Sequence, residues 1–150
     1  MKTLRRLKSI GNFQFYTSDI SSHVEVPLSK AAVSAGFPSP AEDYLEMKLD
    51  LNKHIVKHPA ATFYVRVTGT SMIKVGIHDG DLLVVDRSLE PKDGAIAICL
   101  LNGAFTVKRL QKKGKKLYLQ PENPDFKPIE VVEGGDFEVW GIVSFIIHQA

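Results

Sequence analysis

The amino-acid sequence predicts a mainly β fold, in which a compact, curled antiparallel sheet or partial barrel follows an extended N-terminal arm and one short helical segment. Apolar runs of strand length recur from residue 62 onward, and turn residues separate them. Runs this short and this closely spaced are typical of a curled antiparallel sheet. Asn102-Gly103 favours the positive φ angles of a two-residue hairpin turn. The predicted strands are 62–68, 82–86, 95–101, 104–110, 116–120 and 137–147.

The first 38 residues are predicted to be an extended arm, because no helical or strand period is sustained in them. Proline and glycine repeatedly break their short apolar alternations. The arm is also too short and too irregular for a helix-turn-helix unit. We therefore expect two parts, an arm over 1–38 and a β domain over 39–150.

A helix is predicted over 40–57, with a break near Asp50. Ser39-Pro40-Ala41-Glu42 has the form of a capping box, with serine at the N-cap, proline at the first helical position and glutamate three residues after the cap. Apolar residues then recur on roughly one face until Pro59. This helix is expected to precede the first strand of the β domain.

Composition favours one domain with a reduced, cytoplasmic setting. The chain has 150 residues and 44% hydrophobic content, which is enough for one sizeable core. Its formal net charge of +2 is too small for the global field of a dedicated nucleic-acid binder. Cys99 is the only cysteine and lies in an apolar run, so we expect a buried thiol and no intrachain disulfide. No stretch reaches membrane-spanning length, so neither a signal peptide nor a membrane anchor is expected.

Three further patterns admit an ordinary structural explanation. The basic residues between Arg109 and Lys116 could contact DNA or an acidic partner, but a solvated hairpin tip is the simpler interpretation. His54 and His58 are one helical turn apart, yet no acidic or cysteine ligand stands at useful spacing, so we interpret them as surface histidines. The run 78–81 could suggest a cation site and is better explained as a tight turn. Trp140, in the last strand, is predicted to lie in the core or at a dimer contact.

Gly69-Thr70-Ser71-Met72 follows a predicted strand at the point where a turn begins. Such a turn can expose a hydroxyl beside free backbone N–H groups, as a nucleophile needs when an oxyanion forms next to it. The backbone N–H groups of Thr70 and Ser71 are then the candidate oxyanion donors. The alternative is a serine that only stabilises the turn by bonding its own backbone.

Lys108 is the candidate general base. It lies in the predicted strand 104–110, where alternation makes each basic residue share a face with apolar neighbours. An apolar environment lowers the pKa of a lysine from about 10.4 toward neutrality, whereas arginine stays protonated. The alternative is a lysine at a sheet edge whose ammonium group reaches water.

Several motifs, in the same order, resemble the UmuD family, the self-cleaving mutagenesis subunits that are related to the LexA repressors. The resemblance covers roughly 35–148, and positions 1–30 show no comparable match. It is carried by the segments 35–44, 50–52, 58–59, 69–72, 76–86 and 105–108.

The resemblance implies a Ser/Lys peptidase of the LexA and signal-peptidase type that cuts its own arm between Ala35 and Gly36. Ser71 would be the nucleophile and Lys108 the base that takes its proton, with no metal or cofactor. It also implies a homodimer, stimulation by the RecA filament, and assembly of the cleaved form with a UmuC-type Y-family polymerase for translesion synthesis. The familiar UmuD site has cysteine before the glycine, but Ala35 is small and alanine also precedes glycine at the LexA-type site.

Other classes remain as alternatives. A non-catalytic dimeric module that only docks a polymerase or RecA would have the same fold. A LexA-like repressor requires a DNA-binding domain before the cleavage site, which 35 irregular residues do not supply, so no sequence-specific DNA binding is expected. A signal peptidase would share the Ser/Lys pair but requires a membrane anchor.

Overall fold

The computed structural model describes residues 4–10, 13–18, 22–29, 35–36 and 46–150, with the backbone alone described for 4–10, 18, 29 and 46. Nine antiparallel strands form the main sheet in the order β1-β2-β5-β6-β11-β7-β8-β9-β10, and β3 and β4 form a separate two-stranded ribbon. The bounds of the strands are β1 Leu4–Ile10, β2 Phe13–Ser18, β3 Glu25–Ser29, β4 Glu46–Asp50, β5 Thr62–Arg66, β6 Leu82–Asp86, β7 Ile96–Leu101, β8 Ala104–Lys113, β9 Lys116–Gln120, β10 Ile129–Glu130 and β11 Phe137–Ile147. The mainly β fold predicted from the sequence is therefore confirmed.

The hairpins of the central sheet follow directly from their turn residues. Asn102 and Gly103 have φ angles of 49° and 79°, so they form the predicted turn between β7 and β8. The next strand continues to Lys113, beyond the predicted end at residue 110, because Lys113 still pairs with Lys116 of β9. Gly114, with φ of 62°, makes this second turn as short as the first.

The sheet extends across the boundary expected at residue 38. The short apolar alternation at Phe13 and Phe15 forms β2, which pairs with β5 over the four positions 14–17. Phe15 is 1% exposed and packs against the rings of Phe105 and Trp140, with centroids 4.9 and 5.1 Å away. Part of the arm thus completes the core of the β domain.

The helical segment is much shorter than the predicted 40–57. Residues 46–50 form β4, which pairs with β3, and within the described part of this span, 46–57, only Leu51–Ile55 is α-helical. The carboxylate of Asp50 accepts a hydrogen bond from the Asn52 backbone N–H and caps this single turn. Strand pairing satisfies the 46–50 backbone better than an isolated short helix could. The predicted capping box at 39–42 lies outside the described residues.

The curl of the sheet comes from β11 at its centre. This strand pairs with β6 on one side and β7 on the other, and the register shifts around Trp140 and Ser144. Such bulges increase the twist of a strand and bend it. Trp140 is partly buried and packs against the main core cluster, in agreement with the core placement predicted for it. No helix among the described residues is long and apolar enough to cross a membrane.

Candidate active site

Ser71 lies on a turn that follows β5, and the turn is held from the 78–81 side by three hydrogen bonds. The carboxylate of Asp79 accepts a bond of 2.7 Å from the Gly69 backbone N–H. The Gly80 N–H donates to the Val67 carbonyl, and the Val67 N–H donates to the Asp81 carbonyl. Gly69 has φ of 98°, which favours glycine at the point where the chain leaves the strand direction. The expectation that 78–81 forms a tight turn is confirmed, because the Asp81 N–H donates to the His78 carbonyl.

A second segment, residues 122–123, fixes the other side of the Ser71 turn. The Glu122 backbone N–H donates to the Ser71 carbonyl at 2.8 Å, and the Lys74 N–H donates to the Glu122 carbonyl at 2.9 Å. The Asn123 side-chain amide donates to the Thr70 carbonyl at 2.8 Å. Sequence reasoning missed this support, although the flanking Pro121 and Pro124 are a local signal for a rigid loop.

Lys108 is buried in the middle of β8, opposite Ala97 of β7. The residue is 8% exposed, so the edge alternative from the sequence is excluded. Burial lowers the pKa of its ammonium group, and the smaller opposing effect of the neighbouring Cys99 is coulombic, so it acts only where that thiol is ionised. No carboxylate of the described residues pairs with Lys108, so nothing of that kind offsets the cost of burying its charge. The environment therefore favours the neutral amine that a general base requires.

Cys99 lies beside Lys108 and does not supply a charge. It is fully buried, as predicted, and burial raises the pKa of its thiol to about 12, although Lys108 lowers it slightly. The thiol consequently stays protonated at neutral pH. It acts as an apolar neighbour of the lysine.

The structure brings the side chains of Ser71 and Lys108 together. Ser71 Oγ is 3.3 Å from Lys108 Nζ, within the looser range of a nucleophile and base in a free enzyme. Lys108 Nζ also contacts Thr106 Oγ1 at 2.8 Å and the Val107 carbonyl at 3.0 Å. These two acceptors fix the direction of the amine. With its remaining lone pair toward Ser71, a neutral Lys108 can accept the hydroxyl proton.

The backbone N–H groups beside the nucleophile are available for an oxyanion. Neither the Thr70 nor the Ser71 N–H donates a hydrogen bond to any residue that the structure describes. The Ser71 carbonyl accepts a hydrogen bond from the Glu122 N–H, and the Thr70 carbonyl accepts one from the Asn123 side-chain amide. These bonds hold the peptide planes of the turn in place. Fixed, free donors at such a position can stabilise negative charge as it develops.

A cleft of about 240 Å³ opens at Ser71, and aromatic rings form much of its apolar wall. Its lining residues are Phe13, Val67, Thr68, Gly69, Thr70, Ser71, Met72, Ile77, Phe105, Thr106, Val107 and Phe126. Ala35 and Gly36 are exposed and are not part of this lining. The described state therefore has the Ser71 and Lys108 side chains together, and Ala35 and Gly36 lie outside the cleft lining.

The other sequence candidates do not line the cleft at Ser71. His54 contacts the ring of Phe145, whereas His58 pairs with Asp86, so the two histidines do not share a ligand set. In the 109–116 cluster, Arg109 pairs with Glu122 at 2.6 Å and Lys116 with Glu130 at 3.4 Å. These ion pairs reduce the positive charge of the hairpin.

Comparison with known proteins identifies the family. The Peptidase S24-like family matches residues 27–144. Protein SamA of Salmonella typhimurium is 46% identical over 123 residues, which cover 82% of this chain and 85% of SamA. Protein MucA of Escherichia coli is 42% identical over 132 residues, covering 87% of this chain and 89% of MucA. Protein ImpA of Escherichia coli is 42% identical over 125 residues, with 82% and 83% covered. The chain therefore belongs to the S24-like serine peptidases and, within them, to the UmuD family of self-cleaving SOS mutagenesis proteins.

Proposed function

We propose that the chain hydrolyses its own peptide bond between Ala35 and Gly36, with Ser71 as nucleophile and Lys108 as general base. The observation that carries this proposal is the distance of 3.3 Å between Ser71 Oγ and Lys108 Nζ, at a lysine that is 8% exposed. A buried lysine whose pKa is lowered by burial, at that distance from a hydroxyl, has few other uses. The proposal makes the arm a substrate that reacts once in each chain.

The reaction takes place in two steps. Lys108 takes the Ser71 proton while Oγ attacks the Ala35 carbonyl carbon, and the Thr70 and Ser71 N–H groups stabilise the oxyanion. Collapse breaks the C–N bond, and Lys108 returns the proton to the amine of Gly36. A water then attacks the Ala35–Ser71 ester with Lys108 again as base, giving the Ala35 carboxylate and the free serine.

Delivery of the arm controls this reaction. A well-placed intramolecular reaction gains on the order of 7–11 kcal/mol of barrier, so permanent docking of the arm would cause immediate cleavage. Ala35 and Gly36 are exposed in the described state, which is consistent with a chain whose scissile bond is not yet docked in the cleft. We propose that the RecA filament on single-stranded DNA favours the state in which Ala35-Gly36 enters the cleft as an added strand.

The proposed role of the cleaved form is that of a subunit of an error-prone Y-family polymerase of the UmuC type. We further propose that the chain acts as a homodimer in the cytoplasm. Support for these partners comes from membership of the UmuD family of SOS mutagenesis proteins. The test is whether the cleaved form binds a UmuC-type polymerase in a pull-down and the Ser71→Ala chain does not.

The decisive experiment measures cleavage by intact mass. Incubation at mildly alkaline pH, or with RecA, ATP and single-stranded DNA, is expected to yield a fragment that begins at Gly36. Ser71→Ala and Lys108→Ala should each remove that fragment. Ser144→Ala and Lys74→Ala are matched controls, because both residues are exposed and neither lines the cleft.

Two results contradict the proposal. An unchanged mass of the native chain under all these conditions would favour the docking module, which has no reason to respond to lysine deprotonation. Cleavage that persists in Ser71→Ala would require another nucleophile. Circular dichroism of each variant separates a loss of chemistry from a loss of fold.

A further inference from the structure

Three side chains with metal-ligating atoms meet at one end of the sheet, away from the Ser71–Lys108 pair. Asp81 directly precedes β6, and His148 directly follows β11. The two strands pair with Leu82 opposite Ile147, so the register brings Asp81 and His148 side by side. His78 lies on the turn before Asp81. One ligand atom from each of the three lies within 4.8 Å of the others.

We propose that His78, Asp81 and His148 bind one Zn²⁺ ion. Two imidazole nitrogens and one carboxylate oxygen are a ligand set that suits zinc and related transition ions, whereas Mg²⁺ and Ca²⁺ prefer oxygen ligands alone. Three protein ligands leave the fourth tetrahedral position for water. This proposal departs from the sequence-based expectation that 78–81 is only a turn and that the chain holds no metal.

The geometry requires little adjustment to accept the ion. His148 Nδ1 is 2.6 Å from one oxygen of Asp81, and His78 Nδ1 is 3.7 Å from the other. Tetrahedral zinc with bonds of about 2.0–2.1 Å separates its ligands by roughly 3.3 Å. Because the two nitrogens lie near different oxygens of Asp81, the carboxylate must rotate to bring one oxygen to about this distance from both nitrogens.

His78 provides an independent reason to expect a ligand. Its Nδ1 atom is enclosed but has no hydrogen-bond partner among the described residues. Buried polar atoms in folded proteins almost always have a partner, and an orphan requires an explanation. A metal ion bound to this nitrogen in the plane of the ring supplies one.

Burial and access at the cluster fit a surface-accessible metal. Asp81 is 4% exposed, whereas the side chains of His78 and His148 are about half exposed, so an ion can enter from solvent. The Asp81 carboxylate also accepts a bond of 2.7 Å from the His78 backbone N–H, which orients it.

Bound zinc would connect the C-terminal end of β11 to the support of the nucleophile turn. The loop that carries His78 and Asp81 also carries Asp79 and Gly80. The Asp79 carboxylate accepts a hydrogen bond from the Gly69 N–H, and the Gly80 N–H donates one to the Val67 carbonyl. The ion would therefore stiffen the loop that positions Ser71 from one side. It would not contact the reacting atoms.

The test titrates Zn²⁺ into the full chain, purified without a polyhistidine tag, against a chromogenic chelator. One equivalent per chain is expected to bind. His78→Ala and His148→Ala should each weaken binding by about tenfold or more, because even outer-shell partners of zinc ligands contribute about that much. Zinc should also raise the melting temperature, and EDTA should reverse the change.

His58→Ala is the matched control. His58 forms the same kind of histidine–carboxylate pair with Asp86, at 2.5 Å, but it does not belong to the three-residue cluster. This variant should keep the native affinity. Absence of a tight equivalent in the native chain overturns the proposal, as does equal binding by the His78→Ala, His148→Ala and His58→Ala variants.

Discussion

Replacing Thr106 by valine isolates the orientation of Lys108 without touching either proposed catalytic group. Valine is nearly isosteric with threonine and removes the oxygen that lies 2.8 Å from Lys108 Nζ. The Val107 carbonyl and Ser71 Oγ remain as partners of the amine. The change therefore subtracts one hydrogen bond from a three-bond arrangement.

The magnitude follows from the two protonation states of the lysine. A hydrogen bond to an ammonium contributes about 1.5–3 kcal/mol, and one to a neutral amine about 0.5–1.5 kcal/mol. The loss is larger for the charged form, which lowers the pKa of Lys108 further. Loss of the orienting bond in the neutral form, about 1 kcal/mol, should reduce the maximal rate by about fivefold.

The assay measures the first-order rate of self-cleavage by intact mass across the alkaline pH range. In Thr106→Val the midpoint of the pH profile should move to lower pH while the plateau falls. Thr68→Val is the matched control, because Thr68 also lines the cleft but does not contact Lys108. A profile identical to that of the native chain, or a midpoint that moves to higher pH, would refute the assigned role of Thr106.

Three other perturbations have outcomes that the structure determines. Lys108→Met should abolish cleavage and raise the free energy of urea unfolding at neutral pH by about 1–4 kcal/mol. Burial lowers the pKa of Lys108 in the folded state, so the buried charge reduces the unfolding free energy of the native chain fully at pH values below that folded pKa. The reduction disappears as the pH rises to the unfolded pKa of about 10.4. A gain from Lys108→Met that is independent of pH would contradict this reasoning. After cleavage, the fragment 1–35 should stay bound to the rest of the chain in native mass spectrometry, since β2 pairs with β5. Phe15→Ala should release the fragment, because it removes about 3–5 kcal/mol of packing free energy at a buried ring. Spontaneous release of the fragment from the native protein would contradict this expectation. Gly141→Ala should lower the unfolding free energy by about 1–3 kcal/mol in a thermal or urea melt, because the new Cβ would lie 2.5 Å from Val85 Cγ1, and an unchanged stability would mean that Val85 can move aside.

Local sequence signals predicted the centre of the fold well. The strands 82–86, 116–120 and 137–147 have the predicted bounds, because alternation and turn residues there agree with the final pairing. The Asn102-Gly103 turn forms as expected from its φ preference. The helix predicted over 40–57 is wrong at 46–50. The apolar spacing there is compatible with a helical period and with a strand period, and pairing with β3 decides in favour of the strand.

The sequence singled out Ser71 and Lys108 as candidates, and the structure places their side chains 3.3 Å apart, but the sequence did not predict the segment that supports the Ser71 turn. Ser71 and Lys108 carry chemistry that a sequence can reveal, since only certain residue types serve as nucleophile and base. Glu122 and Asn123 act through backbone and amide hydrogen bonds to the turn, which many residue types could make. The cluster of His78, Asp81 and His148 spans 70 positions, so no local pattern contains it.

The sequence by itself determined the antiparallel β class, the turn that carries Ser71 and the strand that carries Lys108, because these depend on short-range alternation and turn chemistry. Only the tertiary structure decided that Lys108 is buried rather than exposed at an edge, since its neighbours Cys99 and Ala97 come from another strand. It also decided that Phe15, from the arm, completes the core. The physical reason is the same in both cases: burial, and with it the pKa of a lysine or the packing of a ring, depends on residues that are distant in the chain.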